Sequence, residues 1–294
     1  MLPEDLVTVY RAARRRACEE RQLMLLAVGV EAVVGAVPGE YLLQVAPADA
    51  GYATQHLLKY EAENRAPPPA PPAPRQYPYA WLGCVFYVLV LVGVAGALSG
   101  TWVRLDAFDL GELDAARVQA GEWWRAWTAL TLHLDGPHLA ANLLAGVWFG
   151  YLAGRQMGVG TAWLLTVLGA GMANLLEGQL GPPEHRAVGA STAVFAALGA
   201  MSAYSWRERF QLPQRWARRW GPLVAGVILL GWTGSAGEGT DVVAHLGGFV
   251  VGAVLGATAA LPRGQALLRH VPQWASGSVA LAAIVLAWAC ALRH

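Results

Sequence analysis

The sequence predicts an all-α polytopic membrane protein, a bundle of seven apolar helices preceded by a small soluble α+β module. Three observations predict it. The 294 residues are 55% hydrophobic and 14% charged, with a mean hydropathy of +0.38, above that of ordinary soluble domains. Seven apolar stretches of near-spanning length follow residue 80. A Pro/Ala run, Ala66 to Pro74, favours extended backbone, builds no core, and divides these stretches from a more polar N-terminal region.

Residues 1–65 read as a cytoplasmic α+β module. Met1 to Arg21 is charged, carries Arg14-Arg15-Arg16 and lacks the apolar core and small-residue cleavage site of a signal peptide, so it is predicted as a charged helix that stays inside. Val30 to Val37 and Tyr41 to Val45 flank a Pro38-Gly39 turn and predict paired strands, and Asp49 to Asn64 predicts a polar helix. The stretch Leu23 to Val37 is interrupted by Glu31, and its about 15 residues fall short of the roughly 20 a span needs. Residues 66–79 form the linker.

The apolar stretches fall at 80–99, 138–153, 159–177, 189–206, 222–234, 241–261 and 276–292. The first six make a core over residues 80–261, and residues 262–294 add a loop and a seventh helix. Several stretches contain Gly, Asn or His, so neighbouring helices rather than lipid must shield them. With the N-terminus inside, ten arginines fall on the inner side and five (Arg104, Arg117, Arg125, Arg186 and Arg293) on the outer. Half of the inner ten lie between Trp206 and Trp220. The bias supports that orientation, and the second, fourth and sixth helices then begin at the outer face.

A net charge of +1 gives no reason to expect nucleic acid as a partner. Cys18, Cys84 and Cys290, odd in number and widely spaced, suit neither a disulfide framework nor a metal cluster and read as packing residues.

Polar side chains inside a bilayer are costly, and those that stand out are His138, Asn142, Ser191 and His245. All four sit near helix starts at the outer face. Ser191 opens the fourth helix, where unpaired N–H groups and the positive helix end favour a developing oxyanion. Taken alone, Gly189, Ala190 and Ser191 equally suit a close helix crossing. The serine is not the nucleophile elbow of α/β-hydrolases, because Ala193 follows where that motif has glycine and no strand precedes it.

Gly248, Gly252 and Gly256 lie within about 60° of His245 around the sixth helix and make one smooth face. If the fourth helix, through Ala196, Gly199 and Ser202, packs there, the imidazole reaches the Ser191 hydroxyl as a general base. His138 and Asn142 share one face four residues apart and can donate hydrogen bonds to a tetrahedral intermediate, beside the Ser191 N–H. Asn142 tying helices together and an interfacial His138 are the bland alternatives. His133 and Thr128 read as loop-structuring. Asp241 is either the cap of the sixth helix or a third member orienting His245. The segment from Asp106 to Leu132, with Trp123, Trp124, Arg125 and Trp127, predicts a folded element lying in the interface.

Trp124-Arg125, His138-Leu139-x-x-Asn142, Gly189-Ala190-Ser191 and Ala244-His245-x-x-Gly248 resemble, in order and spacing, the rhomboid intramembrane proteases, over about Trp81 to Ala260. The resemblance implies a six-helix core that cleaves other proteins' transmembrane helices near their outer ends, without a cofactor. It implies a catalytic dyad of Ser191 and His245 and an oxyanion hole of His138, Asn142 and the Ser191 amide. Trp124 and Arg125 would belong to the membrane-embedded first loop, and the fifth helix with Trp232 would resemble the lateral gate. The bacterial members with a cytoplasmic domain and an added C-terminal span are the nearest pattern, which implies a multi-pass protein of the inner (plasma) membrane. Its expected partners are transmembrane protein substrates and the bilayer.

Thr192 departs from the family's commoner Gly, Phe195 stands where an aromatic with a hydroxyl often stacks on the histidine, and Gly154-Arg155 lies where relatives often carry a glutamate. The rival readings are a non-catalytic relative that binds transmembrane clients and a transporter. The clustering of polar residues near one face and the absence of inverted repeats argue against a transporter.

Overall fold

A computed structural model describes residues 5–64, 76–99, 107–210, 216–233 and 241–294. The Pro/Ala linker up to residue 75, with Arg65, Arg75, Arg104 and Arg215, lies outside the described residues. The chain divides into two compact units, Met1–Pro72 and Ala73–His294.

The first unit runs β1 (Val7–Ala12), α1 (Arg15–Ala27), β2 (Ala32–Val37), β3 (Glu40–Val45) and α2 (Ala50–Glu63). The strands form an antiparallel sheet in the order β1-β3-β2, with β2 and β3 joined at the turn beside Gly39, which holds φ +86°. Cys18 and Leu25 of α1, Leu43 and Val45 of β3 and Leu57 of α2 are buried together, which burial of apolar area stabilises. Strand β1 replaces the charged helix expected from residue 1. The β-branched and aromatic run Val7-Thr8-Val9-Tyr10 fits a pleated sheet better than a helix, and the helix begins only at Arg15.

The second unit contains α3 (Trp81–Ser99), α4 (Ala107–Gly111), β4 (Leu113–Asp114), α5 (Ala115–Gln119), α6 (Arg125–Thr128), α7 (Gly136–Met157), α8 (Val159–Leu180), β5 (Arg186–Ala187), α9 (Ser191–Phe210), α10 (Trp216–Thr233), α11 (Val242–Ala259), α12 (Pro262–His270) and α13 (Gln273–Ala291). This is an all-α polytopic membrane fold. Helices α3, α8, α11 and α13 are long and apolar enough to cross a bilayer by length and composition alone. Of the other long helices, α9 carries Arg207 and Arg209 in its last turn, and α10 opens with Arg218 and Arg219. These arginines therefore sit on helical turns rather than in one loop from Trp206 to Trp220.

Helices α9 and α11 make the closest contact. A Cβ added at Gly248 would strike the Thr192 carbonyl, one at Gly252 the Ala196 carbonyl and one at Gly256 the Ala200 carbonyl. Each pair is four residues on from the last in both helices, so α9 and α11 run parallel and start at the same end of the bundle. Gly199 returns the fit, with no room for a Cβ beside the Phe249 carbonyl. Ser202 does not belong to this seam as expected. It lies about 120° round α9 from Ala196 and packs against Gly226 of α10.

Other helices close around this pair. Trp163 of α8 fills the space left by Gly83 of α3 and Gly150 of α7. Ser205 of α9 donates to Gln156 Oε1 of α7 at 2.6 Å. A polar tether thus stands one residue beyond the Gly154-Arg155 pair. The Trp288 indole N–H of α13 donates to Thr131 Oγ1 at 3.0 Å, and the backbone of Gln273 lies tight against Gly160 of α8.

Candidate active site

Asp241 caps α11 by accepting the Ala244 N–H at 3.0 Å, and this fixes the first turn that carries His245. The parallel register with α9 then sets His245 at the depth of Gly189 to Ser191. Extending the spacing of 56 residues that pairs Thr192 with Gly248 brings His245 opposite Gly189, about 3 Å along the axis from Ser191. The buried imidazole of His245 meets the Phe195 ring at a centroid distance of 4.5 Å and an interplanar angle of 37°. Phe195 is one turn along α9 from Ser191. An aromatic contact in this range holds an imidazole against rotation.

The turn before Ser191 is held from outside the helix. Gly189 takes φ +134°, its N–H donates to the Ala129 carbonyl at 3.0 Å, and a Cβ there would lie 2.9 Å from His138 Nε2. Only glycine suits this backbone, and its bareness lets His138 approach. The Ala190 N–H donates to His133 Nε2 at 3.3 Å. His133 must be neutral to accept it. Burial, helped by His138, whose ring centre is 5.1 Å away, and opposed by the Thr131 carbonyl, pushes its pKa down to about 4.

His138 and Asn142 come from α7, whose start is capped by Asp135 accepting the His138 N–H at 2.7 Å. The Asn142 carbonyl accepts from Tyr87 Oη at 2.8 Å, while its buried Nδ2 has no partner. An unspent buried donor near the start of α9, where the first N–H groups lack intrahelical partners, is what an oxyanion-binding corner requires.

Ser191, His245, Phe195, His138 and Asn142 all line one open cavity of about 1340 Å³, whose remaining wall includes Leu134, Phe149, Val194 and Val251. The cavity is therefore mixed, with apolar walls beside these polar groups and with Glu112, Arg186 and Asp241 also on its lining.

Trp124, Arg125 and Trp232 stand apart from it. Arg125 is 2% exposed and fully engaged, donating to Glu122 Oε2 at 2.6 Å, the Glu112 carbonyl at 3.0 Å and the Asp109 carbonyl at 2.7 Å. Trp124 is buried against Ala287 and Ala291 of α13 and stacks on His294. Trp232 is 77% exposed near the end of α10.

Two more cavity residues, Glu177 and His185, are not singled out by the sequence, and both stand beside Asp241. Glu177 near the end of α8, His185 in the following turn and Asp241 bring ligand-type atoms within 4.8 Å of one another. Glu177 closes the third apolar stretch, and an ionisable residue at that depth was the available signal. From the sequence His133 reads only as a loop residue, because its partner is the backbone of a segment 57 residues away.

Residues 120–262 match the family model described as Rhomboid domain. The chain is 30% identical over 189 residues to the rhomboid protease GluP of Bacillus subtilis, covering 64% of this chain and 35% of that protein. It is 32% identical over 169 residues to RHOMBOID-like protein 7 of Arabidopsis thaliana (55% and 49%), and 30% identical over 146 residues to Rhomboid-like protease 3 of Toxoplasma gondii (50% and 55%). The chain thus spans about a third to about half the length of these curated relatives.

Proposed function

Because this chain belongs to the rhomboid family, we propose that it is an intramembrane serine endopeptidase that cuts transmembrane helices of other proteins near the outer membrane face. The observation that carries the reading is the shared cavity at the parallel seam of α9 and α11, with the Phe195 and His245 rings 4.5 Å apart one turn from Ser191.

In this reading Ser191 Oγ attacks the scissile carbonyl carbon while His245 takes the hydroxyl proton. Asn142, His138 and the Ser191 N–H receive the negative oxygen that forms. Collapse breaks the C–N bond as His245 returns the proton to the leaving amine, and an ester to Ser191 remains. Water from the outer side, deprotonated by His245, hydrolyses the ester. Asp241 acts as helix cap in this scheme, and the dyad needs no third member.

A substrate helix must unwind to expose a carbonyl, so segments with Gly, Ala or Ser near the cut are preferred. The N-terminal unit lies on the cytoplasmic side of a bacterial plasma membrane.

The test uses the detergent-solubilised chain, a model transmembrane substrate and a serine-directed fluorophosphonate. The parent should cut and be labelled, and Ser191→Ala and His245→Ala should do neither. Cutting by Ser191→Ala at the parent rate sinks the assignment. Substrate capture without cutting by the parent favours a client-binding protein instead.

A further inference from the structure

We propose that Glu177, His185 and Asp241 form a binding site for a divalent transition-metal ion of the zinc class at the rim of the cavity. His185 Nε2 lies 3.5 Å from Glu177 Oε1 and 3.3 Å from Asp241 Oδ2. Ligand atoms bound tetrahedrally at about 2.0–2.1 Å are separated by roughly 3.3–3.4 Å, so both distances fit the edges of such a polyhedron. At these separations Nε2 makes a hydrogen bond to neither oxygen.

The second observation is Glu177 itself. Its side chain is 6% exposed, neither oxygen receives a hydrogen bond from an N–H or hydroxyl donor, and the carboxyl group faces the His185 ring at 3.5 Å and the carboxyl group of Asp241. Two buried carboxylates facing each other are costly unless a proton or a cation stands between them, and the neighbouring imidazole nitrogen makes the set one that a metal ion can bridge.

The ligands are held in place by contacts that leave the inward-facing atoms free. The Asp241 Oδ1 atom is spent on the Ala244 N–H, and Oδ2 faces the His185 ring at 3.3 Å. The His185 backbone donates to the Pro182 carbonyl at 2.9 Å and accepts from the Ala115 N–H at 3.0 Å. The imidazole keeps about a quarter of its surface exposed, which gives an ion an entry path.

One imidazole and two carboxylates suit zinc, cobalt or manganese. Calcium calls for six to eight oxygens, and cuprous copper for sulfur. The site stands whether or not Ser191 is a nucleophile, and its test reads metal binding alone.

The full chain is stripped with chelator in detergent and titrated near neutral pH with Co²⁺ and then Zn²⁺. One equivalent of Co²⁺ should give the visible absorption of a low-coordinate site, which Zn²⁺ displaces. Zn²⁺ should also raise the melting temperature. Glu177→Gln, His185→Gln and Asp241→Asn should each weaken binding by about tenfold or more. Asparagine keeps the helix cap while removing the charge, and Glu177→Gln keeps the side chain's shape, so folding is preserved. His133→Gln should leave binding unchanged. Absence of saturable binding up to about 100 µM metal overturns the proposal, and the trio is then an ion-paired imidazole. Undiminished binding by Glu177→Gln and His185→Gln overturns it equally.

Discussion

The Thr192 carbonyl lies so close to Gly248 that no Cβ fits between them, and this one contact fixes the level of His245 against Ser191. The backbones touch directly, so neither helix can relax by turning a rotamer. Gly248→Ala should therefore push the first turn of α11 outward and lower fluorophosphonate labelling of Ser191 about a hundredfold, the order of cost of a 1 Å misplacement at a reacting pair. Gly93→Ala, with nothing within 4 Å of the added methyl, should label at the parent rate.

Phe195 offers a gentler perturbation of the same imidazole. An aromatic contact beyond simple burial is worth about 0.5–1.5 kcal/mol, or roughly twofold to twelvefold in a rate. Phe195→Leu should slow peptide cleavage by that factor. Phe195→Tyr should stay near the parent, because the ring face presented to His245 is kept. Equal rates for Leu and Tyr would show that the ring does not position the histidine.

Much of this arrangement was legible before any coordinates. Glycines at 248, 252 and 256 form a stripe that shares a face with His245, and helix parity sends α7, α9 and α11 off from one end, so convergence of His138, Asn142, Ser191 and His245 on one cavity follows from periodicity. What stayed hidden depends on contacts that leave no periodic trace. Ser202 has the right size for the seam but the wrong angle round α9, and only the position of Gly226 reveals its partner. His133 and His185 sit in turns, where residue type says little about which distant backbone or carboxylate they meet. Strand β1 was hidden by the arginines beside it, because charge in an edge strand costs little when its other face pairs with β3.

His133 gives the site an acid limit. Its folded pKa of about 4 lies below the ordinary 6.5, so the fold favours the neutral ring, and protons bind more readily to the unfolded chain between those values. Its contribution is complete above about pH 6.5 and is lost progressively as pH falls towards 4. Protonation also removes the acceptor for the Ala190 N–H. The melting temperature should fall across this window in the parent and fall less in His133→Gln, whose amide oxygen still accepts but does not titrate. Parallel curves for the two proteins would rule out His133 as the source.

Arg125 is a matter of stability rather than chemistry. Its guanidinium bridges the Glu122 carboxylate and two backbone carbonyls from an almost fully buried position, a planar fork that lysine does not reproduce. Arg125→Ala should cost at least about 2 kcal/mol, the scale of a lost hydrogen bond to a charged group, because three such bonds go with it. Arg125→Lys should recover only part of this. Thermal melts of purified protein read both, and fluorophosphonate labelling of the fraction still folded should be unchanged, because Arg125 is not among the residues lining the cavity.

Asn142 separates stability from turnover in the opposite sense. Its Nδ2 is buried without a partner, so replacing the amide by leucine removes no hydrogen bond from that nitrogen and relieves an unsatisfied group. Asn142→Leu should melt no lower than the parent. Where a tetrahedral oxygen is to be stabilised, the same amide is the missing donor, and losing one such donor costs about 10²–10³ in kcat with little change in KM. A bland interhelical role gives the reverse pattern, with a lower melting temperature and an unaltered kcat. One variant measured both ways decides between a residue that holds helices together and one that waits for charge to develop.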